Sequence, residues 1–201
     1  GDTIEVIVGE AQSVFHVHEE LVCAHSDFFK TAIKPEWAES YPKVIHLPED
    51  DPVAFLCYMQ WLYCKQLPTS KDDECRQLAR AYALGEKLLD IDFKNDVIDA
   101  MVAKASIFVD GIMKFPGSDA IEVLYYGTPE SSPARRLFIE FWTFVGKEEW
   151  MTDQPPPYEF LIDLSKSLLR QRPRPHGDRP WIGFPELYHV KTDKQITEGK
   201  P

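Results

Sequence analysis

The sequence predicts an α+β fold: a small three-stranded sheet covered by a helical cluster and followed by further C-terminal helices. Three observations predict it. Strand-like runs are confined to the N-terminal part of the chain and end by Leu47. Apolar residues at helical spacing then continue to about Gln171. A chain of 201 residues, 44% of them hydrophobic, is also long enough to bury a proper core.

The first two strands are predicted to form a hairpin. "TIEVIVG" alternates apolar and polar residues and ends in Gly9, which can adopt a positive φ. "QSVFHVHEE" resumes the alternation, so that His16 and His18 share one face while Phe15 and Val17 share the other. Two strands joined so closely are expected to pair with each other.

The next segments predict two short helices, a third strand and a buried helix. In "ELVCAHSDFFKTAI" the spacing becomes helical, and Ser26 can cap a second helix. "KVIHL" is a short strand that ends at Pro48. Asp51 followed by Pro52 is typical of a helix start, because proline's missing N–H costs nothing there. "VAFLCYMQWLYC" is apolar nearly all round, so this helix is predicted to be largely buried.

Five more helices are predicted before the chain changes character. Two amphipathic helices lie in "PTSKDDECRQLARAYALGEKLLDIDFKNDVIDAMVAKA", where Asp90 or Asp92 can cap the second. Three others lie in "DAIEVLYYG", "SSPARRLFIEFWTFVG" and "PPPYEFLIDLSKSLLRQ", and Ser132-Pro133 repeats the cap-then-proline start. Beyond Arg170 the chain is rich in Pro and Arg without periodicity, which predicts an extended tail.

Composition excludes several classes of function. A formal net charge of -11 argues against general nucleic-acid binding, which needs a dense basic patch. The sequence has no run of about 18 apolar residues, so no membrane span is predicted, and no signal-peptide pattern opens the chain. The four cysteines form no CxxC pair and indicate reduced thiols, which favours a cytoplasmic or nuclear location.

The stretch "VFHVHEELVCAHSDFFK" is rich in residues that could bind metal or react. A zinc site is not predicted, because His16 and His18 share a strand face while Cys23 follows on a separate helix. Cys23 and His25 are two positions apart on a helix, so they point about 200° away from each other. No Gly-rich phosphate loop, GxSxG elbow or HExxH motif occurs either. The sequence therefore predicts no enzyme, no catalytic residue, no metal and no cofactor.

The order of these segments resembles a known family. "VFHVHEELVCAHSDFFKTAI", "WAES", "VIHLPEDDPVAFLCYMQWLYC" and "LARAYALGEKLLDIDFKNDVIDAMV" are similar to successive parts of a BTB (POZ) domain. "LYYGTPESSPARRLFIEFW" is similar to the C-terminal extension of many BTB proteins of filamentous fungi. The resemblance implies a BTB domain over 1–106 and a helical extension over 107–170, and composition predicts the Pro/Arg-rich tail over 171–201.

The resemblance also implies a function and a binding surface. Many BTB domains are adaptors that link a substrate to a cullin-3-class ubiquitin ligase scaffold, through a hydrophobic-x-Glu motif after the second short helix. Trp37 and Glu39 stand at the matching place. Tyr63 falls where the family often presents an aromatic residue to the cullin, and Tyr58 on the same helix is a weaker candidate. For Trp37 and Tyr63, a place in the domain's own core is the alternative expectation.

Two further questions stay open at the sequence level. Many BTB homodimers use an additional helix and strand ahead of the first core strand. The printed sequence opens on that core strand, so both a homo-oligomer and a monomeric type resembling elongin C and the Skp adaptors fit. The alternative function is that of a self-associating scaffold or transcription-associated BTB protein that recruits no ligase. The substrate is not indicated.

Overall fold

The computed structural model describes residues 1–34, 43–68, 73–106, 115–151, 154–173 and 188. Gly1–Leu169 form one compact unit and Arg170–Pro201 form a second. In chain order the elements are β1 (Thr3–Val8), β2 (Ser13–His18), α1 (Glu19–His25), α2 (Asp27–Ala32), β3 (Val44–Leu47), α3 (Pro52–Cys64), α4 (Glu74–Leu88), α5 (Ile91–Ser106), α6 (Ser118–Tyr126), α7 (Pro133–Val145), a 3-10 turn (Glu148–Trp150) and α8 (Tyr158–Gln171). The predicted α+β architecture, with additional C-terminal helices, is confirmed.

The three strands form one mixed sheet in the order β2-β1-β3. β1 pairs with β2 antiparallel, which confirms the predicted hairpin, and with β3 in parallel. At the hairpin turn Gly9 has a φ of +75°, and a Cβ there would lie 3.0 Å from Cγ of Pro52. Glycine is therefore required both by the backbone conformation and by the close approach of the start of α3.

One face of the sheet is buried beneath the helices. Ile4, Val6 and Val8 on β1 are fully buried, as is Val17 on β2. The intervening residues lie on the outer face, as strand alternation requires. The histidines of β2 therefore lie outside the core, as the alternation predicts.

Ser26 ends α1 and begins α2. Its Oγ accepts a hydrogen bond from the Phe29 N–H at 3.2 Å, which confirms the predicted cap. The same hydroxyl donates to the carbonyl oxygen of Leu88 at 2.6 Å. A side chain that was predicted to act locally thus also ties α2 to the end of α4.

Asp51 caps α3, as predicted, by accepting from the Val53 N–H at 2.8 Å. Its other carboxylate oxygen accepts from Arg80 on α4 at 2.7 Å, and the neighbouring Asp50 pairs with Lys87 at 2.5 Å. These two ion pairs fix the turn before α3 against α4. The direction of α3 is set at this end.

The start of α5 depends on a buried carboxylate. Of the two predicted caps, Asp90 is the one that forms, and it accepts from the Phe93 N–H at 2.9 Å. Its second oxygen accepts from the Tyr58 hydroxyl at 3.0 Å. Burial raises the pKa of the Asp90 carboxyl, while the two hydrogen bonds favour the ionised form and act in the opposite direction.

The C-terminal helices pack on this core through α6, which lies against α4. The contact is close, since a Cβ at Gly127 would lie 2.4 Å from the Cβ of Ala83. The predicted Ser132 cap at the start of α7 does not form. Ser132 makes no capping bond, and its buried Oγ has no hydrogen-bond partner among the described residues. Pro133 alone marks this helix start, because its fixed φ already suits a first helical turn.

Arg135 holds α6 and α7 together from inside. Its guanidinium, almost fully buried, donates to the carbonyl oxygens of Tyr125 and Thr128 and to the Thr128 hydroxyl. The guanidinium carbon also lies 4.3 Å from the centre of the Tyr125 ring. A fifth contact, 3.3 Å to the Glu159 carboxylate, links α7 to α8. The N–H groups of this guanidinium therefore satisfy backbone carbonyl groups at, and just after, the C-terminal end of α6.

Candidate partner-binding surface

Helix α3 has a buried face and an exposed apolar stripe. Its buried residues are Ala54, Phe55, Cys57, Tyr58, Trp61 and Leu62. The outward stripe consists of Val53, Leu56, Gln60 and Tyr63, spaced by three, four and three positions. That spacing places them in one row along the helix, and only Gln60 among them is polar. The stripe is an exposed, mostly apolar face of α3 that a partner could contact.

Tyr63 closes the C-terminal end of this stripe and is held in place by His18. The tyrosine is 46% exposed. Its hydroxyl accepts from the backbone N–H of His18 at 3.1 Å and lies 2.7 Å from the Nδ1 atom of the same residue. The two rings also meet edge to face, with their centres 5.8 Å apart. The phenol ring is thus fixed in orientation before any partner arrives, which lowers the entropy cost of binding.

Tyr58 does not belong to this surface, which corrects the sequence-level expectation for that residue. It is fully buried, and its hydroxyl donates to Asp90. Burial, and next the nearby Asp90 carboxylate, raise the pKa of the Tyr58 hydroxyl far above its ordinary value. Tyr58 therefore acts as a core residue that joins α3 to the start of α5.

Trp61 is a residue of this region that sequence reasoning did not assign to the site. Its indole N–H donates to the Asp96 carboxylate at 2.6 Å, and the ring is almost fully buried. The Lys65 ammonium lies 3.6 Å from the ring centre, and the His25 ring contacts it edge to face. The sequence does show a tryptophan near the end of an apolar helix. Its role could not be inferred from that helix alone, because its polar partner Asp96 lies on α5. Trp61 therefore packs beneath Lys65 and His25 and links α3 to α5.

Comparison with known protein families identifies this arrangement. Residues 3–96 match the family model of the BTB/POZ domain. The chain contains a BTB/POZ domain. The match runs from β1 into α5 and therefore includes α3, Tyr63 and His18. The resemblance to a BTB domain inferred from the sequence is confirmed.

The BTB domain determines the general kind of function. It is a non-catalytic interaction module whose members bind other proteins and self-associate. The remainder of α5 and helices α6 to α8 lie beyond the matched residues. Among the described residues, no helix combines the length and the apolar character needed to cross a membrane.

The histidine- and cysteine-rich stretch is distributed over separate surfaces. His16 and His18 lie on the outer face of β2, whereas Cys23 is half-buried on α1. Burial, and then the charge of Glu19, raise the pKa of the Cys23 thiol, which disfavours the nucleophilic thiolate. Within the described ranges, no three His, Cys, Asp or Glu side chains converge as a metal site would require.

Trp37 and Glu39, the residues of the hydrophobic-x-Glu motif, lie outside the described residues. The described chain stops at Lys34 and resumes at Lys43, which pairs with Glu19 at 2.7 Å. The role of both motif residues is therefore a prediction from the sequence. Tyr63 is the partner-binding candidate that the described structure exposes.

Proposed function

We propose that this chain is a protein-interaction adaptor whose BTB domain binds a cullin-3-class ubiquitin ligase scaffold and presents a substrate to it. The observation that carries the proposal is the exposed stripe of α3 that ends in Tyr63. Interface anchors are commonly aromatic, partly exposed and pre-organised, and Tyr63 has these three properties. We assign Trp37 as a second anchor and Glu39 as an acceptor at its edge.

The proposed function assigns three consecutive parts to the chain. We propose that the BTB domain extends over 1–106, since α5 continues to Ser106 beyond the matched family model. The helices of 107–170 would form its extension, and 171–201 would be the tail. The substrate remains to be identified, because no residue of the chain specifies its chemistry.

Size-exclusion chromatography with light scattering tests the proposal, using the chain alone and then mixed with the N-terminal domain of a cullin. We expect a stoichiometric complex. Trp37→Ala, Glu39→Ala and Tyr63→Ala should each weaken it by tenfold or more, because truncating an interface hot spot costs about 2 kcal/mol. Tyr126→Ala is the matched control for Tyr63→Ala, since Tyr126 is 83% exposed on α6, outside the BTB domain.

Glu130→Ala is the corresponding control for Glu39→Ala, because Glu130 is exposed between α6 and α7. Circular dichroism of each variant establishes that the fold is retained. A folded chain that gives no complex with the cullin domain would sink the ligase proposal. It would leave the BTB domain itself in place, together with the alternative of a scaffold that recruits no ligase.

A further inference from the structure

A groove lies in the C-terminal helices, outside the residues that match the BTB/POZ family model. It has a volume of about 560 Å³ and lies between the end of α6 and the start of α8. The α6 side contributes Tyr126, together with Pro129 and Glu130 from the loop that follows the helix. The α8 side contributes Pro157 and Tyr158. Tyrosine and proline side chains therefore make up most of the lining.

Arg135 and Tyr125 form the floor of this groove. Both are almost fully buried, and the guanidinium carbon lies 4.3 Å from the centre of the tyrosine ring. Arg135 donates to the carbonyl oxygens of Tyr125 and Thr128 on the α6 side and to the Glu159 carboxylate, at 3.3 Å, on the α8 side. Because one side chain ties both sides together, the groove is formed before a partner binds, which lowers the entropy cost of binding.

Tyr126 and Tyr158 present their rings to solvent on the two sides of the groove. They are 83% and 77% exposed, which makes them the two most exposed large apolar side chains in the part of the chain that the structure describes. Neither phenol hydroxyl has a hydrogen-bond partner within the described ranges. A single exposed aromatic residue is ordinary on a protein surface, but two that line one groove indicate a binding site.

The chemistry of the lining fits an extended segment in the polyproline II conformation. A polyproline II helix has no internal hydrogen bonds, so its carbonyl oxygens can accept from the tyrosine hydroxyls. Its proline rings dock into aromatic-lined grooves, and little conformational entropy is lost because the helix is already formed. An α-helical segment would already use most of its carbonyl groups internally and would leave the two hydroxyls without acceptors.

Charge indicates which proline-rich segment is complementary. Glu130 is exposed and pairs with no cation among the described residues, whereas Glu159 is already paired with Arg135. Tyr126 also lines an adjoining groove with Glu122, a second exposed carboxylate without an ion pair in the described ranges. The two cations of that adjoining groove are each paired with an aspartate. A segment with arginine or lysine beside its prolines is therefore attracted, and an acidic one is repelled.

We propose that this groove binds a basic, proline-rich segment of a partner protein in the polyproline II conformation. Prolines of the segment pack against Tyr126 and Tyr158, whose hydroxyls donate to its carbonyl oxygens, and a basic side chain pairs with Glu130. The inference goes beyond the proposed cullin adaptor and does not depend on it, because the groove shares no residue with the stripe of α3. It assigns a second partner-binding surface to the helical extension.

Fluorescence polarisation with the full chain tests the inference, using a labelled synthetic peptide that repeats Arg-Pro-Pro. We expect saturable binding. A peptide that repeats Glu-Pro-Pro keeps the prolines but reverses the charge, and one that repeats Arg-Gly-Gly keeps the charge but removes the prolines. Each should bind about tenfold more weakly, because each loses one of the two kinds of contact.

Three results with these peptides would overturn the inference. The first is the absence of saturable binding of the Arg-Pro-Pro peptide to the folded chain. The second is equal binding of the Arg-Gly-Gly peptide, which would mean that the acidic chain attracts any basic peptide. The third is equal binding of the Glu-Pro-Pro peptide, which would remove the charge complementarity on which the choice of partner rests.

Variants locate the bound peptide on the surface. Tyr126→Ala and Tyr158→Ala should each raise the dissociation constant of the Arg-Pro-Pro peptide by about tenfold, as expected for aromatic anchors. Glu130→Arg should raise it by about threefold or more, because a like charge then meets the basic side chain. Glu140→Arg is the matched control, since Glu140 is exposed on α7 and does not line the groove. Circular dichroism establishes that each variant is folded.

Tyr63→Ala completes the set and separates the two binding surfaces. It should leave peptide binding unchanged while it weakens the cullin complex, and Tyr126→Ala should have the opposite pair of effects. Peptide affinity that is insensitive to Tyr126→Ala and Tyr158→Ala, or equally sensitive to Tyr63→Ala, would overturn the inference and leave the adaptor proposal standing. A chain that binds the peptide through the two groove tyrosines but binds no cullin would sink the adaptor proposal alone.

Discussion

Trp61 in the BTB domain and Trp142 in the C-terminal helices are two buried tryptophans with different supports. Both indole rings are almost fully buried among other aromatic rings. Trp61 donates its N–H to the Asp96 carboxylate at 2.6 Å, whereas Trp142 donates to the backbone carbonyl of Pro116 at 3.0 Å. One ring is therefore tied to an ionisable side chain, and the other to the backbone segment that leads into α6.

The two tryptophans also differ in the residues that pack against their rings. Lys65 and His25 contact Trp61, so the tryptophan lies directly below polar surface residues at the C-terminal end of α3. Trp142 contacts Trp150 and Phe160, which continue the apolar cluster of the extension. Around Trp61 the BTB core is thus linked to its surface by polar contacts, while around Trp142 the extension is closed by aromatic packing.

The largest expected effect comes from removing either ring. Trp61→Ala and Trp142→Ala should each lower the free energy of unfolding by about 3–5 kcal/mol, because each leaves a large cavity. Trp142→Ala should cost more, since the buried Pro116 carbonyl is left without its donor, whereas the exposed Asp96 carboxylate can bind water instead. Urea denaturation followed by circular dichroism measures both. An unchanged midpoint for Trp142→Ala would break the comparison, because the extension would then contribute no stable core.

The next effect concerns the buried cation of the extension. Arg135→Met should lower the free energy of unfolding by about 3 kcal/mol, because the Tyr125 and Thr128 carbonyl groups lose their charged donor. Arg136→Met is the matched control, since Arg136 is the next residue and is exposed. Equal stabilities of these two variants in the same denaturation assay would contradict the role assigned to Arg135.

A smaller, pH-dependent effect is expected at the buried carboxyl of the BTB domain. Because burial raises the Asp90 pKa in the folded state, protonation favours folding. The stability that protonated Asp90 contributes is fully present below the unfolded-state pKa, and it is lost as the pH rises through the folded-state pKa. Asp90→Asn should remove this loss of stability at higher pH. At low pH, where Asp90 is protonated, the free energies of unfolding of the variant and the wild type should differ by only about 1 kcal/mol. Asp99→Asn, at an exposed position, is the control. Parallel stability–pH curves for the wild type and Asp90→Asn would refute the prediction.

Local rules predicted much of the fold because its strand ends and caps depend on neighbouring residues. Gly9, Ser26 and Asp51 act where their chemistry indicated. The outward face of α3 could not be predicted in the same way, since the helix is apolar nearly all round. Tyr58 and Tyr63 lie about 140° apart around the helix, so they face different surroundings. Asp90, which holds Tyr58 inside, lies 32 residues away in sequence and could not be identified from the helix alone.

The smallest effect is expected from Tyr63→Phe, which keeps the ring and removes only the hydroxyl. The His18 N–H lies near the surface, where water can replace the lost acceptor, so the free energy of unfolding should fall by only about 0.5–1 kcal/mol. Amide exchange at His18 should accelerate, while Tyr126→Phe should change neither quantity. A loss as large as that of Trp61→Ala would mean that Tyr63 belongs to the core. In the cullin assay the same variant separates two contributions of Tyr63. Binding retained by Tyr63→Phe but lost in Tyr63→Ala would assign the anchor to the ring, whereas binding lost in both would assign it to the orientation that His18 imposes through the hydroxyl.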